Sequence, residues 1–178
     1  NRTLSAAGYY VPTQQEDYLV NPVSITKTNK AGLPVDEIAA VRSNTTGALS
    51  PTDSFPQTSY VRWSTNQYTQ CCKLASTRVY HSIPVSGVGL PDTNYDETVF
   101  GYDSNGRRNQ TTSPGGTINR TVFNARNQPL TVSVGTATNN FRTVTTNEYD
   151  GGSGGGNGNL TEVTRHVDSS TGRVTSYT

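Results

Sequence analysis

The stretch that decides the fold is YDSNGRR at residues 102–108, which is followed by TTSPGG at residues 111–116. An aromatic residue suited to a strand runs into Asp103, and Gly106 and two arginines follow. A short β run comes next, and Pro114-Gly115-Gly116 supplies a second turn. Asp, Gly and Pro at such positions are typical of turns between strands. The stretch therefore predicts one arm of a β-hairpin, with a turn at each end.

Weaker copies of this pattern recur along the chain, each at an aromatic residue that is followed by turn residues. The intervals between the aromatic residues are 22, 21 and 26 residues, and a glycine loop at residues 151–158 lengthens the last interval. An interval of this size is about one hairpin of chain. A single hairpin cannot bury its own face, so neighbouring copies must stack. The aromatic positions are Tyr80, Tyr102, Phe123 and Tyr149.

The composition favours an all-β protein. Only 31% of the 178 residues are apolar, which is low for a compact α or α/β domain. Ten tyrosines argue against disorder, because disordered chains are poor in aromatic residues. The net charge of +1, without a cluster of Lys and Arg, excludes the electrostatic pattern of a nucleic-acid-binding protein. No apolar run approaches the roughly 18 residues of a membrane span. We predict repeated antiparallel β-hairpins in a twisted or spiralling sheet, with essentially no helix.

We expect one continuous β structure, because no linker is long enough to separate two domains. Residues 1–57 form a loosely repetitive segment of strands and loops, and residues 58–178 form degenerate hairpin repeats continuous with it. Residues 18–20 are a short β candidate that ends at Asn21-Pro22. Residues 35–42 are the one stretch whose sequence is also compatible with a helix. We assign them to a strand, because they lie where the return strand of a hairpin belongs.

The two cysteines, Cys71 and Cys72, are adjacent in the sequence. Neighbouring cysteines rarely pair with each other, because the ring that they close is strained. We predict two thiols on a strand, one facing inward and one outward, in preference to a vicinal disulfide. A metal site is the least favoured interpretation, since His81 is the only other ligand type nearby and structural zinc needs about four ligands.

The acidic residues of the repeat are candidates for catalysis or for turns. Asp103 and Asp150 each follow an aromatic residue and precede turn residues, where an Asp side chain caps the turn. We therefore assign both to turns. The glycine loop at residues 151–158 lacks the Lys-Ser/Thr pair of a phosphate-binding loop, so we assign it to a flexible turn. No nucleophile elbow occurs. We expect no catalytic residue, no cofactor and no metal.

At these residues the chain resembles the YD-repeat, or Rhs-repeat, family. The family's pattern is Tyr-Asp, two residues, Gly-Arg, and then a Pro-x-Gly turn. Weaker copies begin at Phe123 and at Tyr149-Asp150, and the GNLT that starts at Gly158 is similar to a variant of the family's motif. The resemblance is good over residues 58–178 and loose over residues 23–57, and it extends to large Rhs-type proteins of planctomycete bacteria. The matching residues of the full motif are Tyr102, Asp103, Gly106, Arg107, Pro114 and Gly116.

The resemblance implies a long β-sheet that spirals into a shell or hollow barrel, and a secreted or cell-surface location. In toxin-bearing members of the family the shell encloses a C-terminal effector, and a self-cleaving aspartate motif follows the repeats. No Asp-Pro-x-Gly occurs in this sequence, so neither property is carried over.

Two functions remain open at this point. The first is a structural β-repeat module that forms part of a shell or extracellular fibre, and that pairs through its β edges with itself or with the remainder of a longer chain. The second is a carbohydrate-binding β module, with Tyr60, Trp63 and Tyr68 as an exposed aromatic platform. Packing in the core or between strands is the other assignment for these three rings. Neither function involves nucleic acid or a membrane span.

We also expect both ends of the segment to present an unfinished repeat. Residues 173–178 parallel residues 98–101, so the next residue would fall where Tyr102 falls. An open sheet edge carries unpaired N–H and C=O groups, which recruit another strand. We therefore expect the ends to pair with further β structure, in the same polypeptide or in a neighbouring copy with a head-to-tail arrangement.

Overall fold

The computed structural model describes residues 1–151, 156–168 and 171–177. Within these residues the chain forms twelve β-strands and one short 3₁₀ turn at Gln57–Ser59, and it forms no α-helix. The strands are β1 (Arg2–Val11), β2 (Glu16–Thr28), β3 (Pro34–Ala40), β4 (Tyr60–Tyr68), β5 (Leu74–Tyr80), β6 (Tyr95–Tyr102), β7 (Arg108–Thr112), β8 (Ile118–Phe123), β9 (Pro129–Ala137), β10 (Asn140–Tyr149), β11 (Leu160–His166) and β12 (Gly172–Ser176).

The strands are antiparallel and lie in one sheet, in the same order as in the chain. The predicted all-β fold of repeated hairpins is thus confirmed. The two edges of the sheet are β1 and β12. The Cα atoms cluster into two compact units, Asn1–Thr98 and Val99–Thr178, which are described separately below.

The first unit contains a core on one face of its strands. Val23 and Ile25 alternate with polar residues on β2, so both point to the same face. The indole of Trp63 stacks on the ring of Tyr80, with 4.0 Å between ring centroids and 9° between planes. Partly buried apolar residues from the loops 41–56 and 81–94 pack against this core. The buried cluster consists of Leu19, Val23, Ile25, Ile38, Ala40, Trp63, Tyr80 and Tyr95.

The strand β2 passes through Asn21-Pro22, where the sequence had indicated that a strand ends. At this point the side chain of Asn21 bonds to the segment that follows β3. Its amide donates to the backbone carbonyl of Arg42 at 3.0 Å, and its oxygen accepts from the Arg42 amide at 2.9 Å. These two bonds satisfy backbone groups of Arg42 that a strand partner would otherwise have to satisfy. The assignment of residues 35–42 to a strand agrees with β3 over residues 35–40, and the last two residues lie beyond its end.

The second unit has a much smaller buried core. Among its described residues, Ile118 on β8 is the one buried apolar side chain. Aromatic rings on the strands are covered instead by arginines, such as Arg120 over Phe141 at 5.5 Å and Arg108 over Phe100 at 4.8 Å. Contacts of this kind contribute roughly 0.5–1 kcal/mol each at exposed sites. Much of the unit's cohesion therefore comes from strand pairing and from contacts between adjacent hairpins.

The placement of the cysteines on a strand was wrong. Cys71 and Cys72 are both exposed free thiols in the turn between β4 and β5. Cys72 has a backbone φ of 64°, in the left-handed region. The sequence between Tyr68 and Leu74 contains no Gly or Pro, so the residues that usually indicate a turn are missing there.

Candidate functional site: the hairpin turns and the sheet edges

One five-residue turn recurs along the described chain. The amide of its first residue donates to the carbonyl of the fifth, and the amide of the fourth donates to the carbonyl of the first, at 2.8 to 3.1 Å. The fourth residue is left-handed, with φ between 64° and 79°. This is the geometry of a type I turn followed by a left-handed residue. The turns begin at Asn29, Thr69, Asp103, Ser113 and Asn124.

Asn or Asp at the first position locks the turn through its side chain. The Oδ1 atom of Asp103 accepts from the amides of Asn105 and Arg107, at 3.0 and 2.9 Å. Asn29 and Asn124 make the same pair of bonds within their own turns, at 2.9 and 3.0 Å. The Asp of the Tyr-Asp motif thus acts as a turn cap, which is the role that the sequence favoured over catalysis.

The fifth residue of the Asp103 turn connects two hairpins. The Nε atom of Arg107 lies 2.7 Å from Oδ2 of Asp103, and its Nη1 atom donates to the carbonyl of Asn124 at 2.8 Å. The guanidinium also lies over the Phe123 ring, 4.8 Å from its centroid. Arg107 therefore joins its own turn to the first residue of the turn between β8 and β9.

A longer turn that begins at Asp150 keeps one of the closing bonds and the side-chain cap. The amide of Asp150 donates to the carbonyl of Asn159 at 2.9 Å, and the Asn159 amide donates to Oδ1 of Asp150. Gly158 precedes Asn159 and has a φ of 83°, like the fourth residue of the short turns. Its carbonyl accepts a hydrogen bond from Gln128, the fifth residue of the preceding turn on this side. The flexible-turn assignment for residues 152–155 lies outside the described residues.

Most of the aromatic residues of the motif are the last residues of their strands, each directly before a turn. Tyr102, Phe123 and Tyr149 are the last residues of β6, β8 and β10, and each precedes the first residue of a turn. Tyr68 holds the same place at the end of β4. Tyr80 differs, because it ends β5 and is followed by the long loop 81–94. Its hydroxyl donates to the carbonyl of Val88 at 2.9 Å within that loop. The other turn of the motif carries Pro114 and Gly116 as its second and fourth residues.

A lateral contact that we call the clasp occurs among the described residues of both units. In the first unit, the side-chain amide of Asn66 and the hydroxyl of Tyr68 both donate to the carbonyl of Pro34, at 3.2 and 3.0 Å. Pro34 is the first residue after the turn that begins at Asn29. In the second unit, Asn147 and Tyr149 donate to the carbonyl of Pro129, at 2.8 and 3.1 Å, and Pro129 is the first residue after the Asn124 turn.

Sequence reasoning missed the clasp, although a signal for it exists. Both copies carry Asn-x-Tyr at the end of one strand, and both have a Pro directly after an Asn-initiated turn. The two halves of each clasp are separated by 18 to 34 residues in the chain. Motif matching at intervals near 22 residues therefore did not bring them together.

The proposed sugar platform is not formed by the residues that the sequence suggested. Trp63 is only 7% exposed, stacks on Tyr80, and donates from Nε1 to Oδ1 of Asp36 at 3.0 Å. Tyr60 packs edge-on against the same indole, with 5.9 Å between centroids. Tyr68 belongs to the clasp. A platform needs an exposed aromatic face, so packing in the core and between strands is the correct assignment for these rings.

The environment of two ionisable groups in these contacts shifts their pKa values. Burial alone would raise the pKa of Asp103, but the hydrogen bonds and positive charge of Arg107, with the Asn105 amide, outweigh it and hold this pKa below its ordinary value. Burial, together with the charge of Glu37, raises the pKa of Tyr68. Asp103 is therefore stabilised as a carboxylate and Tyr68 as a neutral hydrogen-bond donor.

The edge strand β12 exposes half of its backbone hydrogen-bonding groups. The amide of Tyr177 donates to the carbonyl of Thr161, and the carbonyl of Thr171 accepts from the amide of Val167, so the backbone groups of Tyr177 and Thr171 face β11. Because the direction alternates along a strand, the N–H and C=O groups of Val174 and Ser176 face away from β11. Every residue of β12 is exposed. Thr178, on which the expectation of an unfinished repeat partly rests, lies outside the described residues.

The described residues contain no group of three or more His, Cys, Asp or Glu side chains placed to bind a metal ion. No helix in the described part of the chain is long and apolar enough to cross a bilayer.

No family model and no curated protein matches the chain. Among solved structures, the chain is similar to part of the crystal structure of TcdB2-TccC3-Cdc42, with a TM-score of 0.44 and 12% identity. The similarity covers 96% of this chain and 9% of that chain, so this chain spans less than a tenth of its length.

Proposed function

We propose that this chain is a structural β-repeat module of a secreted or cell-surface protein of the Rhs type, and that it forms part of a shell or an extracellular fibre. The observation that carries the proposal is the recurrence of one hydrogen-bonded turn along a single sheet, with lateral contacts between neighbouring hairpins. The role is structural rather than enzymatic.

The contacts between hairpins support this role, because they can be extended by adding hairpins. Arg107 reaches the turn of the next hairpin on its side of the sheet, and Gln128 reaches Gly158 in the turn after that. These two successive hairpins thus each offer a donor to the next. In repeat proteins stability is close to a sum of terms for single repeats and for their nearest neighbours. A sheet built in this way gains stability from every repeat that continues it.

The partner that we propose is further β structure, either a second copy or another part of a longer polypeptide. The outward-facing backbone groups of Val174 and Ser176 on β12 are the attachment points. Exposed edges of this kind pair readily with other strands. Main-chain hydrogen bonds would supply affinity, as in other cases in which a strand is added to a sheet.

The experiment compares the chain with the variant Val174→Pro. Proline removes the outward N–H of residue 174 and leaves the inward bonds of Thr175 and Tyr177 to β11 in place. Sedimentation velocity over a range of concentrations should show association of the wild-type chain and monomers of the variant. Electron microscopy of the wild-type chain should show fibres or extended particles.

The matched control is Val174→Ala, which shortens the same side chain but keeps the N–H group. It should associate like the wild-type chain, and far-UV circular dichroism should be the same for all three proteins. Wild-type chains that stay dispersed as monomers at every concentration would contradict the proposal, and so would association that Val174→Pro leaves unchanged.

A further inference from the structure

The turn between β4 and β5 carries two adjacent thiols that no contact described above uses. Cys71 and Cys72 are the third and fourth residues of the turn that begins at Thr69. Both are exposed, and both are free. In the related turns these two positions hold Ala31-Gly32, Asn105-Gly106, Gly115-Gly116 and Arg126-Asn127. The turn thus presents a pair of nucleophiles where the related turns have none.

Bridging the two thiols to each other is geometrically unfavourable. Consecutive Cα atoms across a trans peptide are about 3.8 Å apart, whereas disulfide-bonded cysteines usually have Cα atoms about 4.4–6.8 Å apart. The closing bonds of the turn also fix its backbone, with Thr69 donating to Lys73 at 2.8 Å and Cys72 donating to Thr69 at 3.0 Å. An internal disulfide would have to distort this turn, so oxidation is directed toward other molecules.

We propose that Cys71 and Cys72 form a covalent attachment site that links this chain to a second copy through intermolecular disulfides. The thiolate of one cysteine attacks a sulfur atom of a small-molecule disulfide. A protein–small-molecule disulfide forms, the original S–S bond breaks, and one small thiolate leaves with the electron pair. A thiolate of a second copy then attacks the protein sulfur of this mixed disulfide and releases the second small thiolate. In total two protein thiols are oxidised and one small disulfide is reduced to two thiols.

The second copy is the favoured partner because no thiol of the same chain can readily displace the small thiol from the mixed disulfide. The neighbouring cysteine would have to close the strained ring, so the mixed disulfide persists until a thiolate from outside reaches it. Each copy offers two exposed thiols, and a chain of copies can therefore grow beyond a dimer. The inference does not rest on pairing between sheet edges, although the secreted location proposed above is one in which disulfides persist.

The test incubates the purified, reduced chain with oxidised glutathione and follows it by non-reducing gel electrophoresis and intact-mass spectrometry. The wild-type chain should form a ladder of dimers and larger species that a reductant dissolves. The single variants Cys71→Ser and Cys72→Ser should each stop at dimers. The double variant Cys71→Ser/Cys72→Ser should lose covalent species completely, and its non-covalent association should be unchanged.

Three outcomes would overturn the inference. The first is a wild-type monomer that has lost two hydrogens, which would show an internal disulfide. The second is a monomer that carries glutathione and never exchanges it for another chain. The third is a single-cysteine variant that forms the same ladder as the wild-type chain.

Discussion

Asp103 and Arg107 are held together by two bonds at once: the Arg107 amide donates to Oδ1 of Asp103 at 2.9 Å, and its guanidinium Nε donates to Oδ2 at 2.7 Å. The side chain of Asp103 therefore closes the turn and also orients Arg107. In that orientation Arg107 reaches the carbonyl of Asn124 in the next turn. The Asp and the Arg of the motif thus form one unit, which shapes a hairpin and ties it to its neighbour.

Replacing Asp103 should separate these two roles. Asp103→Asn should keep a turn cap, because Asn29 and Asn124 cap equivalent turns with the same pair of bonds. It should lose the hydrogen-bonded ion pair between its second oxygen and Arg107, and such pairs near the surface are weak. Asp103→Ala should lose the cap as well, and leave the amides of Asn105 and Arg107 without their side-chain acceptor. Thermal unfolding should rank the proteins as wild type, then Asp103→Asn, then Asp103→Ala. Equal melting temperatures for the two variants would contradict the role of the cap.

Acid should remove the contribution of the Asp103 charge. Its pKa in the folded chain lies below the ordinary value of about 3.9. As the pH falls, the unfolded chain takes up this proton first, so the stabilisation is present above about pH 4 and is lost as the pH falls through the folded pKa. Urea unfolding of the wild-type chain and Asp103→Asn should show a difference in stability that is constant near neutral pH and narrows in this acidic window. A difference that widens in acid would contradict the sign of the shift.

The sequence predicted the strands well because its signals are local. Turn residues at Gly32, Gly106 and Gly116 fix where hairpins reverse, and alternation on β2 fixes which side chains face the core. The turn at Thr69 was missed because Cys72 takes a left-handed conformation that Gly or Asn usually takes. The turn is held by backbone bonds of Thr69 to Lys73 and Cys72, and by the bond from the Lys73 amide to Oγ1 of Thr69.

The clasp and the burial of Trp63 could not be predicted from the sequence for a different reason. Both depend on which strands become neighbours, and on what the long loops cover. An alternating strand pattern shows that Trp63 and Tyr80 point to one face or the other, but not which face the loops 41–56 and 81–94 cover. The sequence therefore identifies the aromatic residues of a repeat but not their exposure. A sugar platform requires exposed rings, so it could not be predicted from the sequence.

Removing the indole of Trp63 should strongly destabilise the first unit. The ring is buried, stacks on Tyr80 and bonds to Asp36. Trp63→Ala should lower the free energy of unfolding by about 3–5 kcal/mol, as large-to-small changes in a core do. Val61→Ala on the same strand is the control, since Val61 is 59% exposed, and it should stay within about 0.5 kcal/mol. Urea unfolding followed by circular dichroism measures both. A small effect of Trp63→Ala would show that the indole is not part of the core.

Replacing Cys72 with glycine should stabilise the chain. The left-handed conformation costs a residue with a Cβ atom about 1–2 kcal/mol, and the greater freedom of glycine in the unfolded chain offsets part of the gain. We expect Cys72→Gly to raise the free energy of unfolding by about 0.5–1 kcal/mol. Cys71→Gly is the matched control, because residue 71 does not have a positive φ, and it should give no gain. Chemical denaturation under reducing conditions measures the free energy of unfolding of both variants and of the wild-type chain. A loss of stability in Cys72→Gly would show that the Cys72 side chain makes a stabilising contact.

The clasp should behave as a coupled pair of hydrogen bonds to one carbonyl. Tyr149→Phe removes only the hydroxyl, and Asn147 still donates to the carbonyl of Pro129 at 2.8 Å. The single variant should therefore lower the free energy of unfolding by about 0.5–1.5 kcal/mol, the usual net value of one hydrogen bond.

Adding Asn147→Ala removes the last side-chain donor to that carbonyl. The double variant should therefore lower the free energy of unfolding by more than the sum of the two single variants. Tyr10→Phe, on a ring that is 56% exposed, is the control and should stay within about 0.5 kcal/mol. The same cycle on Asn66 and Tyr68 should give a coupling energy of the same sign, because both donate to Pro34. Strictly additive effects in urea unfolding of both sets would show that the two donors act independently and that the clasp is not a unit.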